Sequence, residues 1–137
     1  MAKTFHLEII TPTRVFDEGQ VNYLRAPSTD GLFGVMAGHV SAIIALDVGE
    51  IKIERSGITK FMATSGGYAE IKDDQVQLLV ETAEQAEDID IQRAQAAYER
   101  AKESIAAKQQ QLEDEHRDLD ALERALNRMR IAKRSKA

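Results

Sequence analysis

All eight glycines (Gly19, Gly31, Gly34, Gly38, Gly49, Gly57, Gly66, Gly67) and both prolines (Pro12, Pro27) of this 137-residue chain lie before residue 70, as does every aromatic residue except Tyr98. Glycine and proline punctuate short strands and turns, whereas their absence beside abundant Ala, Glu, Gln, Lys and Arg favours helix. The chain therefore divides near Thr82 to Asp88 into an N-terminal β unit and a C-terminal helical unit. No Gly-, Ser- or Pro-rich linker separates them, so the join is expected to be short.

In the first half Phe5, Leu7 and Ile9 alternate with His6 and Glu8, and Ile51 and Ile53 alternate with Lys52 and Glu54. Val21 with Tyr23, and Val76 with Leu78 and Val80, repeat the same period of two, the mark of half-buried strands. Turn signals fall at Asp17 to Gly19, Asp30-Gly31, Ser56-Gly57, Gly66-Gly67 and Asp73-Asp74. A turn every roughly 8 to 12 residues suits a sandwich or barrel rather than alternating βα units. The run Val40 to Leu46 is more continuously apolar, and both a strand buried on two faces and a buried stretch of other geometry fit it.

In the second half Ile91, Ala94, Tyr98, Ala101 and Ile105 form one helical stripe, with Asp88 as a candidate N-cap. Leu119, Leu122, Leu126 and Met129 form another, and Gln109 to Asp118 between them is almost wholly polar. A helical hairpin with a hydrophilic connector is the simplest packing. A single rod is also compatible, because the heptad count from Ile105 passes through Lys108, Leu112 and Glu115 to reach Leu119 in register. The first stripe is mostly alanine, so closing a hairpin is worth only a few kcal/mol at about 25 cal/mol per Å². Ligands or partners can bias an element held that weakly.

Composition closes several routes to function. Cysteine is absent and only three histidines are present, which excludes disulfides, thiolate chemistry and a conventional zinc centre. A net charge of -5 offers no global attraction to nucleic acid or anionic lipid. No apolar stretch approaches the ~20 residues of a spanning helix and no targeting pattern opens the chain, so it reads as soluble and intracellular. Charge is nonetheless sorted. Twelve acidic and five basic residues lie between Glu84 and Glu123, while Arg124, Arg128, Arg130, Lys133, Arg134 and Lys136 make the tail wholly cationic. Such a tail complements a helix macrodipole or docks on an acidic partner.

No active site emerges. Gly34 to His39 lacks the Gly-Lys-Ser/Thr ending of a phosphate loop, and Ser65-Gly66-Gly67 lacks the flanks of a nucleophile elbow and reads better as a hairpin turn. Asp73 and Asp74 read as solvated turn residues. Arg93 and Arg100 share a helix face, as do Arg117, Arg124 and Arg128. Guanidiniums gathered in this way bind phosphates, although the residues taken alone favour a solvated face.

The whole chain resembles the epsilon subunits of F-type ATP synthases. The match is carried in order by Thr11-Pro12 with Phe16, by Asp30-Gly31-Leu32-Phe33-Gly34-Val35-Met36-Ala37-Gly38-His39 with Ala45-Leu46 and Gly49, and by Ser65-Gly66-Gly67-Tyr68-Ala69-Glu70. Thr82-Ala83-Glu84 and Ile89-Asp90-Ile91-Gln92-Arg93-Ala94 complete it. Ala37 stands where the family usually has proline.

The resemblance implies an α+β fold, with an N-terminal β-sandwich over residues 1–84 followed by a C-terminal antiparallel two-helix hairpin over 85–137. The sandwich would grip the gamma subunit and rest on the membrane c-ring, with Leu32 to His39 as the ring-facing edge. The hairpin would extend along gamma into the catalytic head of alpha and beta subunits and restrain ATP hydrolysis, its basic tail meeting an acidic segment of beta. The implied role is non-catalytic coupling of proton flow to ATP synthesis, without a catalytic cofactor or nucleic acid. The implied place is the cytoplasmic face of a bacterial membrane, held there through the complex. Ile89, Asp90, Arg93 and Ala94 match a motif that in some bacterial members binds a regulatory ATP and favours the folded hairpin. Glu84, Arg100, Arg124 and Arg128 match further residues of that pocket. Asp90 and Glu84 would accept hydrogen bonds near the adenine, and the arginines would face the phosphates. The competing readings are a β-sandwich adaptor for another acidic protein and, less well supported, a small hydrolase using His39.

Overall fold

A computed structural model describes residues 3–107 and 112–135. Ten strands come first: β1 (Phe5–Ile10), β2 (Val15–Val21), β3 (Tyr23–Ser28), β4 (Gly31–Val35) and β5 (Ala42–Leu46), then β6 (Gly49–Arg55), β7 (Ile58–Thr64), β8 (Gly67–Lys72), β9 (Gln75–Val80) and β10 (Ala83–Gln85). A 3-10 turn (Ala86–Asp88) leads into α1 (Ile91–Ala107) and α2 (Leu112–Ser135). The chain forms two compact units that divide between Gln85 and Ala86.

The strands hydrogen-bond in the order β10-β7-β6-β3-β5-β8-β9-β1-β2, with β4 added on β3. Neighbours are antiparallel except β1 and β9, which are parallel. β3 meets β5 only at Ser28 and Leu46, and there the path folds over. One layer is β10-β7-β6-β3-β4 and the other β5-β8-β9-β1-β2. Between them lie Phe5, Leu7, Ile9, Val21, Leu24, Val35, Ile51, Ile53, Met62, Ile71, Val76 and Leu78. These are the positions that period-two alternation selects, because successive side chains point to opposite faces.

Where the chain departs from simple alternation, backbone geometry supplies the reason. Asp17 to Gly19 is not a turn. β2 runs through it as a bulge, in which Leu7 pairs with Gly19 and Glu8 with Asp17, leaving Glu18 over. Gly19 takes φ +68, which glycine adopts without a Cβ penalty. The extra residue changes the phase of the strand, so Phe16 and Glu18 face inward before it and Val21 after it. The inward Glu18 then ties the layers together: its Oε1 lies 2.6 Å from Lys60 Nζ on β7, and its carbonyl accepts Arg55 Nη1 of β6 at 2.7 Å.

Ser56-Gly57 and Asp73-Asp74 are two-residue hairpin loops with positive φ at both positions, the geometry that suits the twist of the flanking strands. Gly66-Gly67 is not a hairpin turn, since β7 and β8 do not pair. It is a crossing between layers, and Gly67 lies so close to β9 that a Cβ there would sit 2.0 Å from the carbonyl oxygen of Leu79. The run Val40 to Leu46 resolves as β5 with one open face, on which Ile43 is 76% exposed.

In the helical unit α1 packs on α2 as a hairpin. Ala94, Ala101, Ala125, Ile131 and Ala132 are buried. The second helix starts at Leu112, seven residues before its apolar stripe. The helix therefore takes in a stretch that is polar in sequence. The connector expected from Gln109, and Lys136 of the cationic tail, lie outside the described residues, as does the Arg117 side chain.

Candidate functional site

The motif Ile89-Asp90-Ile91-Gln92-Arg93-Ala94 builds the start of α1. Asp90, not Asp88, is the N-cap: its Oδ1 accepts the Arg93 amide at 3.2 Å, and its carbonyl accepts the Ala94 amide at 3.0 Å. Ile89 precedes the cap and Ala94 occupies the fourth helical position, and both are buried, the pattern of a hydrophobic staple. Helix initiation thus accounts for three of the four singled-out motif residues. Arg93 is the exception. A cation in the first turn opposes the macrodipole, and its side chain is exposed.

Arg100 and Arg124 are exposed as well, while Arg128 is half-buried and engaged with a neighbour. Antiparallel pairing brings the start of α1 beside the later half of α2, which carries Arg124 and Arg128. Glu84 lies in the strand unit, on β10 opposite Ala63 of β7, half-buried and also engaged. The eight residues therefore fall into seven on the hairpin and one on the last strand. An open cavity of about 330 Å³ on β8 and β9 is lined by Glu70, Lys72, Asp73, Gln75 and Gln77, none of them in the motif. Among the described residues no His, Asp or Glu cluster could hold a metal ion, and no helix is long and apolar enough to cross a membrane.

A second feature escaped the reading of the sequence. On the outer face of β5-β8-β9-β1-β2 one register row reads Ala45, Tyr68, Leu79, Ile10 and Val15, each directly opposite the next. Tyr68 and Val15 are more than half exposed and Leu79 is 42% exposed. The adjoining row reads Ile43, Glu70, Gln77, Glu8 and Asp17, so one apolar band crosses five strands beside a row that is polar on four of them. The signal was present as breaks in alternation, in the doublets Ile9-Ile10 and Leu78-Leu79. Only the register shows that these breaks line up.

The segment from Leu32 to His39 ends β4 and turns toward β5. The His39 amide donates to the Met36 carbonyl at 3.2 Å, and Gly38 has φ +83, the geometry of a type II turn. Leu32, Met36 and Val40 are exposed on and beside it. Three large apolar side chains are thus exposed within nine residues of sequence.

Residues 4–86 match the model of the ATP synthase delta/epsilon chain beta-sandwich domain, and residues 87–133 match that of the delta/epsilon long alpha-helix domain. The ATP synthase epsilon chain of Nitratidesulfovibrio vulgaris (strain DP4) is 43% identical over 131 residues, covering 96% of this chain and 97% of that one. The epsilon chain of Desulforamulus reducens is 37% identical over 132 residues, 96% and 99% of the two chains. Among solved structures, a chain of the Euglena gracilis mitochondrial ATP synthase OSCP/F1/c-ring assembly superposes with a TM-score of 0.77 at 23% identity, over 88% of this chain and 76% of that one. A chain of the Tetrahymena thermophila central stalk/c-ring superposes at 0.63 with 11% identity, over 98% of each. At those identities the likeness concerns the fold. Domain matches that run end to end and relatives aligned over nearly their whole length lead to one assignment: the chain belongs to the ATP synthase delta/epsilon family, among its bacterial epsilon chains.

Proposed function

We propose that this chain is a non-catalytic rotor subunit that couples proton flow to ATP synthesis and restrains ATP hydrolysis through its helical hairpin. The observation that carries the reading is the apolar band Ala45-Tyr68-Leu79-Ile10-Val15 on an open sheet face. A band of that kind stays exposed in solution only at a cost, which a flat apolar partner surface removes. In this reading the band docks on the gamma subunit, and the edge bearing Leu32, Met36 and Val40 rests on the c-ring. Residues 1–84 are the anchoring part and residues 85–137 the regulatory part. The complex holds the chain at the cytoplasmic face of the membrane.

The hairpin seam supports the regulatory half of the proposal. Its buried residues are mostly alanine, each contributing about 0.8 kcal/mol of burial, so a modest differential affinity opens or closes it. The cationic residues Arg124, Arg128, Arg130, Lys133 and Arg134 then reach acidic surfaces of the alpha and beta subunits. Regulatory ATP favours the closed form, with Arg93, Arg100, Arg124 and Arg128 facing its phosphates and Asp90 and Glu84 near its base. No nucleic acid enters this scheme.

Reconstitution tests it. ATP synthase assembled with the chain cut after Asp88 is expected to retain the subunit on the rotor and to hydrolyse ATP faster than with the full chain. Unchanged hydrolysis refutes the brake, and failure of the cut chain to bind refutes the anchoring role of the strand unit.

A further inference from the structure

The turn Asp73-Asp74 is an unusual choice for its backbone. Both residues lie at positive φ, +52 and +59, where an L side chain meets a steric penalty that glycine escapes. The equivalent turn Ser56-Gly57 uses glycine in its second place, at φ +80. Asp74 forgoes that relief and has an evident use for its side chain: its Oδ1 accepts the amide of Gly38, thirty-six residues away in sequence, at 2.7 Å. The Asp74 carbonyl accepts the amide of His6 at 2.9 Å, so the turn is itself fixed to the start of β1. Strain kept at a polar residue that spans two loops is the pattern expected of a functional position.

The loop that Asp74 holds needs holding. It is the type II turn Met36 to His39, in which the second position favours proline for its preset φ, and Ala37 stands there instead. The Gly38 position is open, with no atom within 4 Å of a Cβ built on it, so side-chain packing does not fix the chain at that residue. Met36 and Val40 are 64% and 74% exposed on either side.

We infer that Asp74 is a positioning residue for the rotor contact: its carboxylate on the Gly38 amide holds the Met36–Val40 edge in the shape that meets the partner. This rests on the reading that the edge is an interface. A loop ordered before contact loses less entropy on binding, so the clasp acts on affinity without touching the partner.

The test uses the purified full chain as wild type, Asp74→Gly, Asp74→Asn, Met36→Asp and the double variant Asp74→Gly with Ala37→Pro. Amide exchange at Gly38 and affinity for a purified gamma–c-ring subcomplex are measured for each. Asp74→Gly relieves the positive φ while removing the acceptor. Its urea midpoint is therefore expected not to fall, while Gly38 exchanges roughly three- to ten-fold faster and rotor affinity drops by a similar factor. Asp74→Asn keeps an acceptor and tolerates the turn, so it is expected within about three-fold of wild type. Ala37→Pro in the Asp74→Gly background is expected to restore affinity. Gly38 exchange unchanged in Asp74→Gly overturns the inference, as does lost affinity that Ala37→Pro leaves lost. Met36→Asp binding the rotor like wild type refutes the interface reading itself, whatever Gly38 exchange shows.

Discussion

Ile131→Ala is the sharpest probe of the hairpin. Ile131 is 1% exposed, the largest fully buried side chain among the described residues of the helical unit. Truncation removes the three carbons beyond Cβ and leaves a void, a loss of about 2.5–4 kcal/mol. Ala94, Ala101, Ala125 and Ala132 each bury one methyl, about 0.8 kcal/mol apiece. Ile131 therefore supplies about as much burial as the four alanines together, and its loss takes a large share of the fully buried apolar surface among the described residues of α1 and α2. Hydrogen exchange of the α1 amides is expected to accelerate roughly a hundred-fold, at 1.4 kcal/mol per factor of ten. The amides of β1 and β9, in the other unit, should be untouched. Labels on α1 and α2 should report a longer mean distance, and the assembled enzyme should hydrolyse ATP more slowly. Amides of α1 exchanging within about three-fold of wild type would show that burial at this seam does not limit opening, and the argument for a weakly held brake would fail.

Gly67→Ala places a Cβ 2.0 Å from the Leu79 carbonyl oxygen at φ +152; it is expected to cost more than about 3 kcal/mol in urea unfolding, whereas Gly38→Ala, with open space around it, should cost only about 1 kcal/mol. Lys60→Met strands the inward Glu18, whose side chain is 7% exposed. With Lys60 itself partly solvated, a loss of about 2–3 kcal/mol is expected, and adding Glu18→Leu should recover most of it in a double-mutant cycle. Leu79→Asp lies on the open face and should leave the urea midpoint within about 0.5 kcal/mol while abolishing co-purification with the gamma subunit.

Much of the strand unit was legible because half-buried strands write their inward face directly into the sequence: Phe5, Leu7 and Ile9 or Val76, Leu78 and Val80 need no context to be read. The failures share a cause. At Asp17 to Gly19 the composition of a turn and of a bulge is the same, and only the pairing of Leu7 with Gly19 and Glu8 with Asp17 distinguishes them. Gly66-Gly67 looks like a hairpin loop until strand order separates β7 from β8. β10, three residues long, is too short to show a period. The apolar band is illegible for the same reason, since its members come from five strands and only register brings them into line. In the helical half the first stripe located its buried face at Ala94 and Ala101, but the second did not: Leu119 and Leu126 are 49% and 40% exposed, and Ala125, Ile131 and Ala132 are buried instead, because small residues fill a close helix contact without standing out as an apolar stripe. Helix start was also misplaced at both ends: Asp90 outcompetes Asp88 as the cap, and polar helix extends well before Leu119.

The cap at Asp90 also decides which experiment on the proposed nucleotide site can be interpreted. Asp90→Ala removes an acceptor from the Arg93 amide and should cost about 0.5–2 kcal/mol of helix stability whether or not ATP binds. A lost ATP response in that variant would therefore have two explanations. Ile89 and Ala94 carry the same ambiguity, because both are buried at the helix start. Arg93 does not. Its amide serves the cap, but its side chain is exposed and carries the wrong sign for the first turn. Arg93→Gln should thus leave far-UV helicity unchanged or raise it, by no more than about 1 kcal/mol of stabilisation. If the arginines face the phosphates of a regulatory ATP, isothermal titration of the full chain should give binding heat that falls at least roughly ten-fold in affinity in Arg93→Gln, the loss of one charge-assisted hydrogen-bonding group. Undiminished heat in Arg93→Gln with helicity intact would remove the motif from any nucleotide site and leave it as a helix start alone.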